Sequence, residues 1–231
     1  MKLILNQSLL LSFLLFFSPF TTVGQTEVTD FLEKWTIEDQ SAKLAISVSG
    51  DTLEFVTPKG LTMWYNERLT GNYEISYHIS MLLNGGKYDR LSDLNCFWAA
   101  NDPLYPNALF TRKEWRNGVF ANYNTLNLFY VGYGGNYNTS TRFRQYKGEF
   151  YGVDAEKIKP VLKEYTDPSH LLVANQWYHI TIRVEGDKTT FLVNDEVLFS
   201  APLTPKQGDG HFGLRLLENH IRLTNFRVSA I

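Results

Sequence analysis

From Trp177 to Glu185 every second side chain is apolar, with Tyr178, Ile180, Ile182 and Val184 set against Trp177, His179, Thr181 and Arg183. A period of two marks an extended strand with one face turned inwards. The alternation recurs at Lys43 to Val48, Thr52 to Val56, Leu61 to Tyr65, Tyr73 to Leu82, Leu94 to Ala99 and Leu126 to Tyr133. It returns at Thr189 to Ser200, His211 to Leu217 and His220 to Val228. Gly186-Asp187 and Gly208-Asp209-Gly210 punctuate these runs, and Asn194-Asp195 offers a turn inside the run from 189 to 200. A weak helical spacing is confined to Ala155 to Tyr165, where Pro160 interrupts it, so that segment is expected to be a loop or a single turn. Consecutive short strands predict an all-β fold, a two-sheet antiparallel jelly-roll sandwich.

Lys2, an apolar run from Leu9 to Phe17, then Pro19 and small residues up to Gly24 have the order of a secretory signal peptide over residues 1–24. The run is too short for a membrane span, so a periplasmic or secreted protein is expected. Residues 25–231 suit one domain, with no repeat or linker-like composition to divide them. Without Lys2 the chain carries 21 basic against 24 acidic side chains, a formal charge of −3. That balance lacks the basic excess of nucleic-acid binders, and no such partner is expected. Cys96 is the only cysteine, so no internal disulfide forms and the residue reads as a small buried apolar group.

Fifteen of the chain's 34 aromatic rings and nine asparagines fall between Asn95 and Tyr151, interleaved with Arg112, Arg116, Arg142 and Arg144. Flat rings cover the apolar faces of a pyranose, amides satisfy its hydroxyls, and guanidinium forks suit a carboxylate or sulfate. The mixture points to an acidic oligosaccharide or polysaccharide as partner. Asn101 to Tyr123, with Pro103, Pro106 and Asn117-Gly118, reads as a long ordered loop over one sheet.

Arg142, Arg144 and Tyr146 alternate, so an extended strand would place all three on one face. An arginine fork neutralising a uronate carboxylate makes the proton on the adjacent carbon removable, and tyrosine or histidine can serve as base or acid. Arg116, Asn117, Tyr123, Tyr133, Asn136 and His170 are further groups of matching chemistry, although Tyr123 and Tyr133 also suit packing beneath the loop. Trp98 fits a stacking platform or the core equally well, and His170 and His220 are the histidines best placed by sequence to reach a cleft. No two of the five histidines have metal-ligand spacing, so no metal site is assigned. No acidic pair on a strand suits a retaining glycosidase, since Asp154 with Glu156 and Asp195 with Glu196 fall in a loop and a turn.

Asn175-Gln176-Trp177-Tyr178, Phe191 to Asn194, Gly213-Leu214-Arg215 and Thr224-Asn225-Phe226-Arg227-Val228 together resemble the concanavalin-A-like lectin and glucanase superfamily. Asn95 to Asp102, Arg116-Asn117-Gly118, Tyr130 to Asn136 and Thr141 to Tyr146 look like a secreted domain family of Bacteroidota, mostly of unassigned activity and found with polysaccharide-use genes. That family is distantly similar to YesU-like proteins associated with pectin breakdown, and relatives occur beside enzymes for ulvan. The resemblance implies a jelly roll with a concave, sugar-facing sheet and, more weakly, uronate chemistry. Sandwiches of this superfamily often hold a structural calcium through backbone carbonyls, which residue identity does not reveal.

The expected function is β-elimination on a uronic-acid-containing oligosaccharide, by a lyase or a dehydratase. Arg142 and Arg144 would hold the carboxylate, Tyr146 and His170 would transfer protons, and Asn95, Trp98, Arg116, Tyr123, Tyr133, Arg215 and His220 would shape the subsites. The alternatives are a non-catalytic carbohydrate-binding module and a glycoside hydrolase with atypical catalytic groups.

Overall fold

The computed structural model describes residues 31–231, so the expected signal peptide lies outside the described residues. Among the described residues twelve strands are formed: β1 (Trp35–Asp39), β2 (Ala45–Ser49), β3 (Thr52–Tyr65), β4 (Tyr73–Met81), β5 (Leu94–Asn101), β6 (Asn127–Gly134), β7 (Ser140–Tyr146), β8 (Val161–Tyr165), β9 (Trp177–Glu185), β10 (Lys188–Val193), β11 (Glu196–Pro202) and β12 (His211–Ala230). All pair antiparallel. A first sheet runs β1-β3-β12-β5-β6-β7-β8 and a second β2-β3-β12-β4-β9-β10-β11, giving the expected sandwich.

β3 and β12 belong to both sheets. His211 to Leu217 and His220 to Val228, which alternate as two strands, are one bent strand with Glu218 in the left-handed region at φ 50° and a register shift between Leu217 and Asn219. The Asn219 side chain secures the bend: its oxygen accepts from the Leu217 N–H at 2.6 Å and its nitrogen donates to the Ser92 carbonyl at 2.7 Å. A bulge of this kind carries a strand from one layer into the other.

The main core lies between the sheets and includes Phe55, Met63, Ile79, Trp98, Val131, Phe143, Ile182, Phe191, Phe212 and Ile221. A smaller cluster forms on the outer face of the first sheet, from Trp64, Phe97, Leu109, Tyr123, Leu126, Leu128, Tyr130 and Tyr146. The long segment between β5 and β6, built of short helical turns, supplies Leu109 and Tyr123 and covers part of that face as expected. A glycine pair seats it. A Cβ on Gly118 (φ 70°) would meet the Gly60 carbonyl at 2.4 Å, and one on Gly60 would meet that of Gly118 at 2.2 Å, so only paired glycines allow this approach.

Like β12, β3 joins two expected runs, Thr52 to Val56 and Leu61 to Tyr65, into one strand, and two further elements depart from expectation. β1 has no clear alternation, and Val161 to Tyr165, expected to be a loop or a turn, is an edge strand paired with β7. Val161 to Glu164 are exposed, so no buried face imposes a period on them.

Candidate functional site: a cationic cleft on the outer face of the first sheet

β7 projects Arg142, Arg144 and Tyr146 to the outer face and Phe143 into the core, as the alternation predicts. The three side chains line a cleft of about 140 Å³ together with Tyr130 and Gly132 of β6, Phe120 of the covering segment, Lys159, Asn136, Ser140 and Asp93. Antiparallel register explains the neighbourhood, since Tyr130 lies opposite Arg144 and Gly132 opposite Arg142. Gly132 is required there: the Tyr130 ring lies over it, and a Cβ would sit 2.5 Å from the phenol oxygen and 2.9 Å from Cζ.

The cleft carries Arg142, Arg144 and Lys159 against, among the described residues, the single carboxylate of Asp93, which is itself engaged by Arg90 at 2.7 Å. Arg142 donates from Nε to Glu164 at 2.5 Å, and the Asn136 amide, turned with its oxygen towards Arg142, accepts from Nη1 at 2.8 Å. Arg144 donates from Nη1 to the Lys159 carbonyl at 2.6 Å, which leaves its Nε and Nη2 donors without a partner among the described residues. Those donors form the fork that a planar carboxylate fits.

Burial sets the protonation of the other groups. It raises the Tyr146 phenol above its ordinary value although Arg144 and Arg215 pull the other way, and raises Tyr130 well above its own. Both therefore stay protonated and are available as donors. Burial, with Arg144 adding to it, lowers Lys159, whose Nζ lies 5.8 Å from the Phe120 ring centre and 6.0 Å from that of Tyr146. A half-buried amine with lowered proton affinity, between an arginine and a phenol, has the character of a proton acceptor.

Several expected site residues lie elsewhere. His170 lies beyond the core-facing side of β7, stacked on Tyr165 at 3.8 Å with Nδ1 on Asp167 at 2.7 Å, and its cleft shares no lining residue with that of Arg144. Trp98 is fully buried between the sheets among Phe129, Phe143 and Phe191, and its indole donates to Thr189 Oγ1 at 2.9 Å, so it offers no face to a solute. Tyr133 is buried against Tyr178 in the same core. Arg116 and Tyr123 are closed off from solvent, both bonded to Glu38 of β1, and anchor the covering segment. His220 is held between Asp89 and Glu54 on the outer face of the second sheet.

Asn95 and Arg215 face the same side as the cleft but lie buried behind it. Arg215 donates to the Gly118 carbonyl at 2.9 Å and supports the Phe120 wall with its guanidinium 5.2 Å from the ring centre. Asn95 pairs with Arg215 on one side and Gly132 on the other, and its Oδ1 is buried without a partner among the described residues. Lys159, Tyr130 and Asp93 complete the site. Tyr130 was readable from its alternation with Phe129 and Val131, whereas Lys159 precedes Pro160 in a segment with only a weak, interrupted helical spacing and reaches the cleft only because β8 folds back along β7.

Among the described residues no group of three His, Cys, Asp or Glu side chains could hold a metal, and no helix is long and apolar enough to cross a membrane. No curated protein sequence matches the chain. Solved structures similar in fold include a protein of unknown function with a galectin-like fold from Bacillus subtilis (TM-score 0.66, 14% identity, 87% of this chain and 91% of that one). Others are the carbohydrate-binding module CBM66 from Bacillus subtilis (TM-score 0.53, 14% identity, 85% and 96%) and an endo-beta-1,3-glucanase from Pyrococcus furiosus (TM-score 0.54, 10% identity, 86% and 88%). At these identities the likeness establishes the fold alone. Residues 55–226, which include every strand of the cleft, match a domain family whose activity is unassigned, and the chain belongs to that family, the domain of unknown function DUF6250.

Proposed function

We propose that the chain acts on a uronic-acid-containing oligosaccharide at this cleft, by β-elimination. The observation that carries the reading is the convergence of Arg142, Arg144 and Lys159 on one cleft whose other lining groups include two protonated phenols. The open donors of Arg144 take the carboxylate, with Arg142 beside them. Withdrawal of charge from the carboxylate acidifies the adjacent C–H. Lys159 in its amine form, which burial and Arg144 favour, takes that proton, the electron pair forms the carbon–carbon double bond, the bond to the oxygen on the next carbon breaks, and Tyr146 protonates the departing oxygen. The resemblance to domains found near uronic-acid-polymer genes supports the same substrate class, and export through residues 1–24 would bring the protein to it.

Incubation with oligomers from pectin, alginate and ulvan, followed by the absorbance of an unsaturated uronate, tests this reading. Wild type should generate the signal, while Arg144→Ala and Lys159→Ala should not. Its absence with every polyuronide would defeat the elimination step. A non-catalytic carbohydrate-binding module is the second reading, favoured by the fold shared with CBM66, and binding without turnover would select it. A retaining hydrolase fits less well because, among the described residues, the cleft is lined by one carboxylate rather than two.

A further inference from the structure

Tyr137 has a backbone conformation that its side chain disfavours and a position that folding does not explain. Asn136, Tyr137 and Asn138 follow one another in the left-handed region, at φ 52°, 58° and 60°. Asparagine tolerates that region, whereas tyrosine is disfavoured by its Cβ. The turn is nonetheless held firmly. Ser92 Oγ accepts from the Tyr137 N–H at 3.1 Å, Thr139 Oγ1 donates to the Asn136 carbonyl at 2.8 Å, and the Asn138 amide clamps both backbone groups of Leu172 at 2.8 and 2.9 Å. None of these bonds uses the Tyr137 side chain. The residue is 82% exposed and belongs to no core cluster among the described residues.

Tyr137 adjoins the cleft through its neighbours. Asn136, the preceding residue, lines the cleft and meets Arg142, and Arg90, whose guanidinium lies 5.8 Å from the Tyr137 ring centre, is bonded to Asp93 at 2.7 Å, another lining residue. Backbone strain maintained by surrounding contacts is concentrated where a side chain is needed in a fixed place. We infer that Tyr137 is a stacking platform that takes the apolar face of the sugar unit next to the anionic one, forming a second subsite. The inference rests on the proposed uronate site. It extends that site from a single acidic unit to an oligosaccharide of at least two, and it makes Tyr137 a determinant of length preference.

Calorimetry with uronate monomers, dimers and trimers from pectin, alginate and ulvan tests it. Wild type should bind the dimer more tightly than the monomer, and Tyr137→Ala should weaken dimer binding by roughly tenfold while leaving the monomer unchanged, with Tyr137→Trp retaining the gain. Tyr137→Gly should raise the melting temperature by relieving the strain, yet lose the same gain, which separates the platform from a folding effect. An undiminished dimer gain in Tyr137→Ala, or an equal loss for monomer and dimer, overturns the platform. Monomer binding that ignores Arg144→Ala instead overturns the underlying uronate site, and failure of every oligomer to bind wild type overturns both.

Discussion

Arg116 and Glu38, 78 residues apart in the chain, form an ion pair from which solvent is excluded, with Nη2 2.7 Å from Oε1 and Nε 3.0 Å from the same oxygen. Tyr123 donates to the other carboxylate oxygen at 2.6 Å. This network ties the segment between β5 and β6 to β1, and that segment supplies the Phe120 wall of the cleft. Burial raises the Glu38 carboxyl even though Arg116 pulls it down, so the carboxylate depends on its partner. Arg116→Ala leaves it uncompensated and should cost about 3–5 kcal/mol in urea unfolding, with saccharide binding weakened as the wall loosens.

Trp98 should behave as a core residue. Trp98→Ala is expected to cost about 3–5 kcal/mol through the cavity it leaves. Trp98→Phe, which keeps most of the ring but loses the bond to Thr189, should cost less and leave saccharide affinity unaltered. Paired denaturation and binding measurements separate this from a stacking role.

Gly132→Ala tests the cleft floor. The added methyl has to displace the Tyr130 ring, at a cost of about 1–3 kcal/mol, and should lower affinity for acidic oligosaccharides. Tyr130→Phe alongside it shows how much of that loss belongs to the phenol.

Acid stability should depend on His211, which burial and the nearby Arg68 charge hold below its ordinary value, with Nδ1 bonded to the Tyr65 carbonyl. The unfolded chain takes up this proton first. The contribution is therefore complete above about pH 6.5 and is lost as pH falls from there through the lowered folded value. Urea midpoints between pH 7 and pH 5 should fall less steeply for His211→Gln than for wild type.

The antiparallel sandwich was legible because Tyr178, Ile180, Ile182 and Val184 share one phase and one core. The face of β7 was legible for the same reason. β5 was legible as a strand but the facing of Trp98 was not, because the covering segment buries the outer face and Leu94 to Ala100 are all buried. In phase with Leu94 and Cys96, Trp98 belongs to the core. His170 was misplaced because residue type carries no information about which side of β7 a distant loop returns to. Lys159 was missed because it lies in the irregular segment before β8, where no strand pattern indicates which way a side chain points. Arg116 and Tyr123 were recognised as a polar group, but their closure around Glu38 depends on β1, which alternation did not reveal.

The most direct test of the account is titration of wild type and Arg144→Ala with the same uronate oligomers before and after reduction of the carboxylate to an alcohol. A charge-assisted fork predicts that reduction weakens wild-type binding by roughly tenfold to a hundredfold, and that Arg144→Ala binds both forms equally weakly. Equal affinity of wild type for the acidic and the reduced oligomers, or full acid-selective binding by Arg144→Ala, would contradict recognition of an anionic sugar by this cleft.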